Sequence, residues 1–371
     1  MSDKVYDAIV IGGGPGGSAA ATFLGQAGKR VLVLEKDIFP RFHIGESLLP
    51  YNQSIFREMG VLPELEKHCT IKKYGAQFHI GNGSKSIALV FKNGKFTRQT
   101  EAFQVERATF DHILLNHAEQ CGAEVRQGWS VRKFSYETDS VAVEAIDSNG
   151  TSHTFRARYL VDASGRGNLT GNQEGIREYH PRLRKLAVFG HFSGVKLDPG
   201  TKGGDTVIVR LANKWFWIIP LSAEKISVGC VMDKEEFVKA RKSPSEIFAQ
   251  HWQSSPVLRE RMQDAKLIGE IMTTTDFSYR NKRLAGDRLF RVGDAAGFMD
   301  PIFSSGVFIA MYSGKLAANT ILELLGGHTN STKLIRRYEA RVNRAMDFYW
   351  EMVEGFYTTP FMELFMHPRE K

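Results

Sequence analysis

The heptapeptide GGGPGGS, Gly12 to Ser18, follows the apolar run YDAIVI and precedes AAATFLGQAGKRVLVLEK. Gly12, Gly14 and Gly17 form GxGxxG between a buried-strand pattern and a small-residue helix pattern ended by Gly28. The first glycine permits the turn, the second admits a pyrophosphate close to the backbone, and the third lets helix and strand pack. The helix start, where Pro15 and Ser18 are further expected cofactor contacts, supplies N–H groups and a favourable dipole for phosphates. Glu35 closes the next strand at the distance of a carboxylate that accepts from an adenosine ribose hydroxyl. The chemistry implied is dinucleotide binding, and FAD and NAD share this fingerprint.

A second strand pattern, RLFRVGDAAGFMDP, ends in Gly293 and Asp294 and leads into the helix pattern GVFIAMYSGKLAANTILELLGG. An acid at that strand end suits a ribityl hydroxyl and the pyrimidine edge of a flavin, which favours FAD. The two segments, some 280 residues apart, resemble the glutathione-reductase-like class of FAD enzymes, and within it the aromatic hydroxylase branch. That resemblance implies a place beside the flavin for Arg107, which opens the helix pattern after FQV. It also implies that Asp162 and Gly165, in ARYLVDASGRG, close over the dinucleotide. Lys36, Arg41, Ser47, Gly306 and Val307 complete the expected cofactor contacts.

Three further segments narrow the resemblance: FPRFHIGESLLP (Phe39 to Pro50), KWFWIIPL with WxWxIP at Trp215, Trp217 and Pro220, and DPIFSSGVFIA (Asp300 to Ala310). With the glycine loop they resemble, in order and up to about residue 325, the flavin-dependent halogenases. What the resemblance implies is reduced FAD, oxygen and chloride or bromide yielding hypohalous acid. Trp215, Trp217 and Pro220 would form a bulky wall that keeps an organic substrate from the flavin while a halide passes. Backbone N–H groups at Ser305 and Gly306, opening a helix, would hold that halide. Lys73, in a K-x-G-A setting with Lys72 beside it, would bind the hypohalous acid and present its halogen as the catalytic residue. No glutamate precedes the halide loop and Asp300 is the nearby carboxylate. This is closer to the phenol and pyrrole group than to the tryptophan type. Glu46 is read as a loop carboxylate tied to backbone N–H groups, with a catalytic contribution as the alternative.

Other readings remain open at this level. A geranylgeranyl-type prenyl reductase has a similar aromatic strand and length, but generally carries a cysteine where Arg41 to Pro50 has none. A plain hydroxylase would need the tryptophan wall open. A flavin protein that senses redox state without turnover needs only bound FAD. No separate NAD fingerprint is present, so a partner flavin reductase is expected to supply the reduced flavin.

The expected architecture is α/β: a Rossmann-like FAD-binding domain with three-layer ββα organisation, plus a mostly antiparallel substrate-binding sheet. The FAD domain is assigned to 1–71, 106–184 and 285–329, the substrate sheet to 72–105 and 185–284, and a short helical segment to 330–371. VRKFSYET, VAVEAIDSNG and TSHTFRARYL alternate like a three-stranded meander turning at Asn149 and Gly150. The aromatic tail, including Phe348, Tyr349, Trp350, Phe356, Tyr357, Phe361 and Phe365, is expected to pack on the core.

The 371 residues are 42% hydrophobic and include 35 glycines, enough for two or three lobes. The +8 charge is scattered and unaccompanied by a nucleic-acid module, so it suits an anionic cofactor or substrate. Cys69, Cys121 and Cys230 support neither a disulfide framework nor a zinc knuckle, and the eleven histidines form no ligand-spaced cluster. No membrane-length apolar run or secretory signal is visible, and the expected setting is cytoplasmic, with the mature chain starting near Met1.

Overall fold

The strands Val5–Ile11 and Val31–Glu35 are apolar on both faces, as parallel strands covered on both sides must be. They pair in parallel, Ala8 beside Val31 and Ile11 beside Leu34. The computed structural model describes residues 5–94, 98–275, 278–327 and 330–358. The long strand Ser152–Asp162 serves three partners. Its first half runs antiparallel to Val141–Ile146, and its second half lies parallel to Val5–Ile11 and Leu289–Arg291. The meander and the nucleotide-binding strands therefore form one seven-stranded sheet, which Glu124–Gln127 extends beyond Val31–Glu35. Helices Pro15–Gln26 and Gly306–Leu325 cover it, and the first begins at the glycine turn that follows Val5–Ile11.

A second seven-stranded sheet runs in the order Lys266–Thr275, Lys185–Ser193, Ile226–Asp233, Lys214–Pro220, Thr206–Leu211, Gly75–Ile80, Ser86–Val90. All neighbours are antiparallel except Thr206–Leu211 with Gly75–Ile80. Alternation gives it two apolar faces. Phe216, Ile218, Val228 and Cys230 pack with Ile247 and Phe248 of the helix Pro244–Gln253. Trp215, Trp217, Ile219 and Val231 pack on the opposite side, together with Ile302. The fold is the expected α/β combination.

The tail is not a free lid. Asn330 caps the helix Ser331–Phe356 by accepting the Lys333 N–H at 2.9 Å. Tyr338, Val342 and Met346 bury against the first core, and Val353 and Phe356 join the tryptophan cluster. Phe348 departs from the expected core packing and is 55% exposed. Phe361 and Phe365 lie outside the described residues. No described helix is long and apolar enough to cross a membrane.

Candidate functional site

A cavity of about 650 Å³ extends from the glycine turn and Glu35 to the tryptophan strand. That volume lies within the usual range of ligand sites. Gly12 has φ +98°, and a Cβ there would collide with the Ala163 carbonyl oxygen, so the turn requires glycine. Gly14, Pro15, Glu35 and Lys36 line the same end. Glu35 accepts the N–H of Gly13 at 2.6 Å and of Asp37 at 2.8 Å. Each carboxylate oxygen has a second lone pair, which leaves acceptor capacity for ribose hydroxyls.

Midway along the cavity, one buried carboxylate organises two arginines. Asp111 accepts from Arg107 Nε at 2.7 Å and Nη2 at 2.9 Å, and from Arg41 Nη1 at 2.8 Å. Burial alone would raise the Asp111 carboxyl, but Arg107 and then Arg41 hold it below the ordinary range. Arg107 also donates to the carbonyls of Ile44, at 2.9 Å, and Gly45, at 3.2 Å. It thereby clamps the HIGES loop from the start of its helix. Burial followed by Arg107 lowers His43 to about 4, which keeps its imidazole neutral.

Gly293, Asp294, Ser304, Gly306 and Val307 line the other end. Burial raises Asp294 to about 6, against the opposing pull of Arg166 and Arg107. An acid so removed from water suits hydroxyl or ring N–H partners on a cofactor. The glycine cradle, the extended cavity and this acid fit FAD. Helix Gly306–Leu325 opens on this cavity, and its first N–H groups have no acceptor within the helix.

The tryptophans are fixed at both N–H groups. Trp217 donates to Ser227 Oγ at 3.0 Å, and its ring lies where a Cβ on Gly229 of the neighbouring strand would sit. Trp215 donates to Tyr357 at 3.0 Å, and the Tyr357 hydroxyl in turn donates to Asp300 at 2.7 Å. Asp300 in turn accepts the Ile302 N–H at 3.2 Å. A single tail hydroxyl therefore links the wall to the loop before the helix Gly306–Leu325. Tyr357→Phe is expected to strand two buried polar groups and cost about 1–3 kcal/mol in urea unfolding.

Lys73 is 2% exposed and donates to Ser47 Oγ at 2.8 Å and the Leu48 carbonyl at 3.3 Å. Burial pushes its ammonium down to about 7, against a smaller opposing pull from Asp205. Lys72 points elsewhere, to Glu101 at 2.6 Å.

Several expected placements need correction. Pro220 is not part of the wall: with a period of two, Trp215, Trp217 and Ile219 face the cavity, whereas Pro220 falls on the side of Phe216 and Ile218. Asp162 is turned away from the cavity. Its oxygens accept the Ser164 N–H at 3.0 Å, the Thr170 N–H at 2.9 Å and the Thr170 hydroxyl at 2.5 Å. Ser18 donates to the Gly13 carbonyl at 2.8 Å, and Gly17 abuts the Gly12 carbonyl, so both shape the turn from behind. Ser305 is 3% exposed, and Ser304, at φ +55°, takes its place on the lining. Ser47 lines the cavity but is engaged with Lys73 and with Thr206 at 2.8 Å. Glu46 is not tied to backbone N–H groups: its Oε1 meets His191 Nε2 at 2.9 Å, and its Oε2 is buried without a partner. Thr206 and Arg166 line the site, and His191 and Tyr357 hold its residues Glu46 and Trp215 from behind; none of these four carries a sequence signal of it, whereas Ser304 lies within the DPIFSSGV motif.

Comparison with known proteins agrees with this geometry. The FAD binding domain family matches residues 5–353. A 1H-pyrrole-2-carbonyl-(peptidyl-carrier protein) chlorinase of Pseudomonas fluorescens is 30% identical over 96% of this chain and 84% of its own. A 1H-pyrrole-2-carbonyl-(peptidyl-carrier protein) brominase of Pseudoalteromonas luteoviolacea is 35% identical, over 88% and 79% respectively. The solved myxobacterial chondrochloren halogenase, described as a variant of FAD-dependent halogenases, superimposes with TM-score 0.89 and 32% identity, covering 94% of this chain and 82% of that one. This chain belongs to the flavin-dependent halogenase family and is an FAD-dependent enzyme of the oxidoreductase type.

Proposed function

We propose that this protein halogenates an electron-rich aromatic ring, pyrrolic or phenolic, presented on a carrier protein, with a transient flavin reductase supplying reduced FAD. Bound FAD, once reduced and met by oxygen, supplies the oxidant that converts chloride or bromide to hypohalous acid. Gly12, Gly14, Glu35, Arg41, Arg107 and Asp294 hold and orient the cofactor. The N–H groups that open the helix at Gly306, on the cavity lining, hold the halide. Trp215, Trp217 and Ile219 keep the organic ring from the cofactor, and Lys73, from behind Ser47, serves the hypohalous acid that leaves it.

The observation that carries this reading is Lys73. A buried ammonium whose hydrogen bonds go to a hydroxyl and a carbonyl, without a paired carboxylate among the described residues, is costly to keep. Such a group directly behind Ser47, which lines the cofactor cavity, marks a chemical task. The two carrier-protein relatives support the choice of substrate. The test supplies FAD, a flavin reductase, NADH and bromide or chloride with pyrrolyl-carrier protein, a free phenol or a free indole. Halide-dependent mass gain on pyrrole or phenol is expected. Hydroxylation without halide, or halogenation of indole alone, overturns the reading.

A further inference from the structure

The hydrogen bonds around Lys73 leave one proton unassigned, and its position is informative. Ser47 Oγ and Thr206 Oγ1 are 2.8 Å apart. Lys73 Nζ donates to Ser47 at 2.8 Å, and Gln104 Nε2 donates to Thr206 at 3.0 Å. The orientation of Gln104 is settled by its second contact, 3.0 Å to the Gly204 carbonyl, which can only accept. The pair thus receives two donors from outside and uses one of its two hydroxyl protons internally. One O–H is left without an acceptor among the described residues, whichever way the internal bond runs. Ser47 and Thr206 both line the cavity, whereas Lys73 does not.

We propose that Lys73 acts on the oxidised halogen through the Ser47–Thr206 hydroxyl pair, which holds one O–H donor toward the cavity and is refilled from the lysine. This rests on the halogenase reading above. Hypohalous acid would accept that hydrogen bond at its oxygen. When the ring carbon's electron pair forms the carbon–halogen bond, the halogen–oxygen bond breaks. The departing hydroxide takes the hydroxyl proton to become water, and the Lys73 ammonium replaces it. The ring proton lost on rearomatisation returns the balance through water. Ser47 is the obligatory link, because it alone touches Lys73, while Thr206 orients it and shares its proton. Ser47 is set by pairing of its loop with Gln104 of the strand Ala102–Gln104, and Thr206 opens the strand Thr206–Leu211, so neither hydroxyl sits on a free loop.

The test uses the FAD-loaded protein with reductase, halide, substrate and a small scavenger of hypohalous acid. It reads halogenated product per oxidised halide. Ser47→Ala is expected to lower that ratio about 10- to 100-fold, as for loss of a charge-assisted hydrogen bond. Ser47→Thr restores it to within about threefold, and Thr206→Val, which leaves Ser47 on Lys73, loses less than Ser47→Ala. Ser47→Ala within about twofold of the parent, or Thr206→Val more damaging than Ser47→Ala, overturns the relay. A flavin-free readout stands beside it: the 15Nζ titration of Lys73 in apoprotein. The groups facing Nζ are Ser47, the Leu48 carbonyl, the Phe91 ring and, farther away, Asp205. Ser47→Ala is expected to move that titration to lower pH, because the ammonium loses an acceptor, and an unmoved titration overturns the contact. Parent protein that oxidises no halide removes the function reading itself, a result distinct from normal oxidation with an unchanged ratio.

Discussion

Replacing Lys73 by methionine is expected to leave halide oxidation intact and to lower halogen transfer to substrate by about 10²–10⁴-fold, the range for loss of a positioned proton donor. The side chain lies behind Ser47 and off the lining of the cavity onto which the helix start opens, so oxidised halide is still made and escapes to a scavenger. The loss cannot be charged to misfolding, because stability moves the other way with pH. Lys73 titrates at about 7 in the fold, against an ordinary 10.5. Between those values the unfolded chain binds more protons, so the parent gains stability as pH rises through that window. Lys73→Met removes the dependence. Its stability relative to the parent is greatest below pH 7 and declines toward pH 10.5, which urea titrations at two pH values measure.

Gly12→Ala is expected to abolish FAD binding. The residue sits at φ +98°, where an L side chain costs about 1–2 kcal/mol, and its Cβ meets the Ala163 carbonyl oxygen. Relieving that overlap pushes apart the turn and the strand end Ser152–Asp162, at about 1–3 kcal/mol more. The displaced turn also breaks the Gly12 N–H bond to the Leu34 carbonyl, 2.9 Å, and misaims the helix N–H groups at the phosphates. Flavin fluorescence titration reads the loss, and Gly28→Ala serves as a control. It shares the positive φ, +68°, but a Cβ there meets nothing within 4 Å, so it costs stability without removing FAD.

The parts of the site legible in the sequence are those whose chemistry is local. GxGxxG and Glu35 are joined through one short helix, and the Gly13–Glu35 bond closes the unit they predict. Gly293 and Asp294 are placed by the strand they end. Pro220 was open to correction from sequence, since a period of two separates it from Trp215 and Trp217 and places Ile219 with them. Asp162 was not, because its partners come from the following turn, whose conformation depends on Asn168 at φ +44°. The features that refine the chemistry are non-local. Glu46 and His191 are 145 residues apart, and Ser47 and Thr206 are 159 apart. Both pairs form only because the loop Phe39–Pro50 crosses the second sheet, an arrangement without local periodicity or motif. Tyr357 reaches Trp215 for the same reason, from the end of a helix whose pattern predicts core packing alone.

The most direct measurement mixes protein loaded with reduced FAD rapidly with oxygen, with and without bromide or chloride, following flavin oxidation and trapped oxidised halide in parent and Lys73→Met. The account expects halide to hasten return of the oxidised flavin and to yield one oxidised halide per flavin in both proteins, with halogenated product in the parent alone. Flavin oxidation that is indifferent to halide, with peroxide as its product, would contradict it.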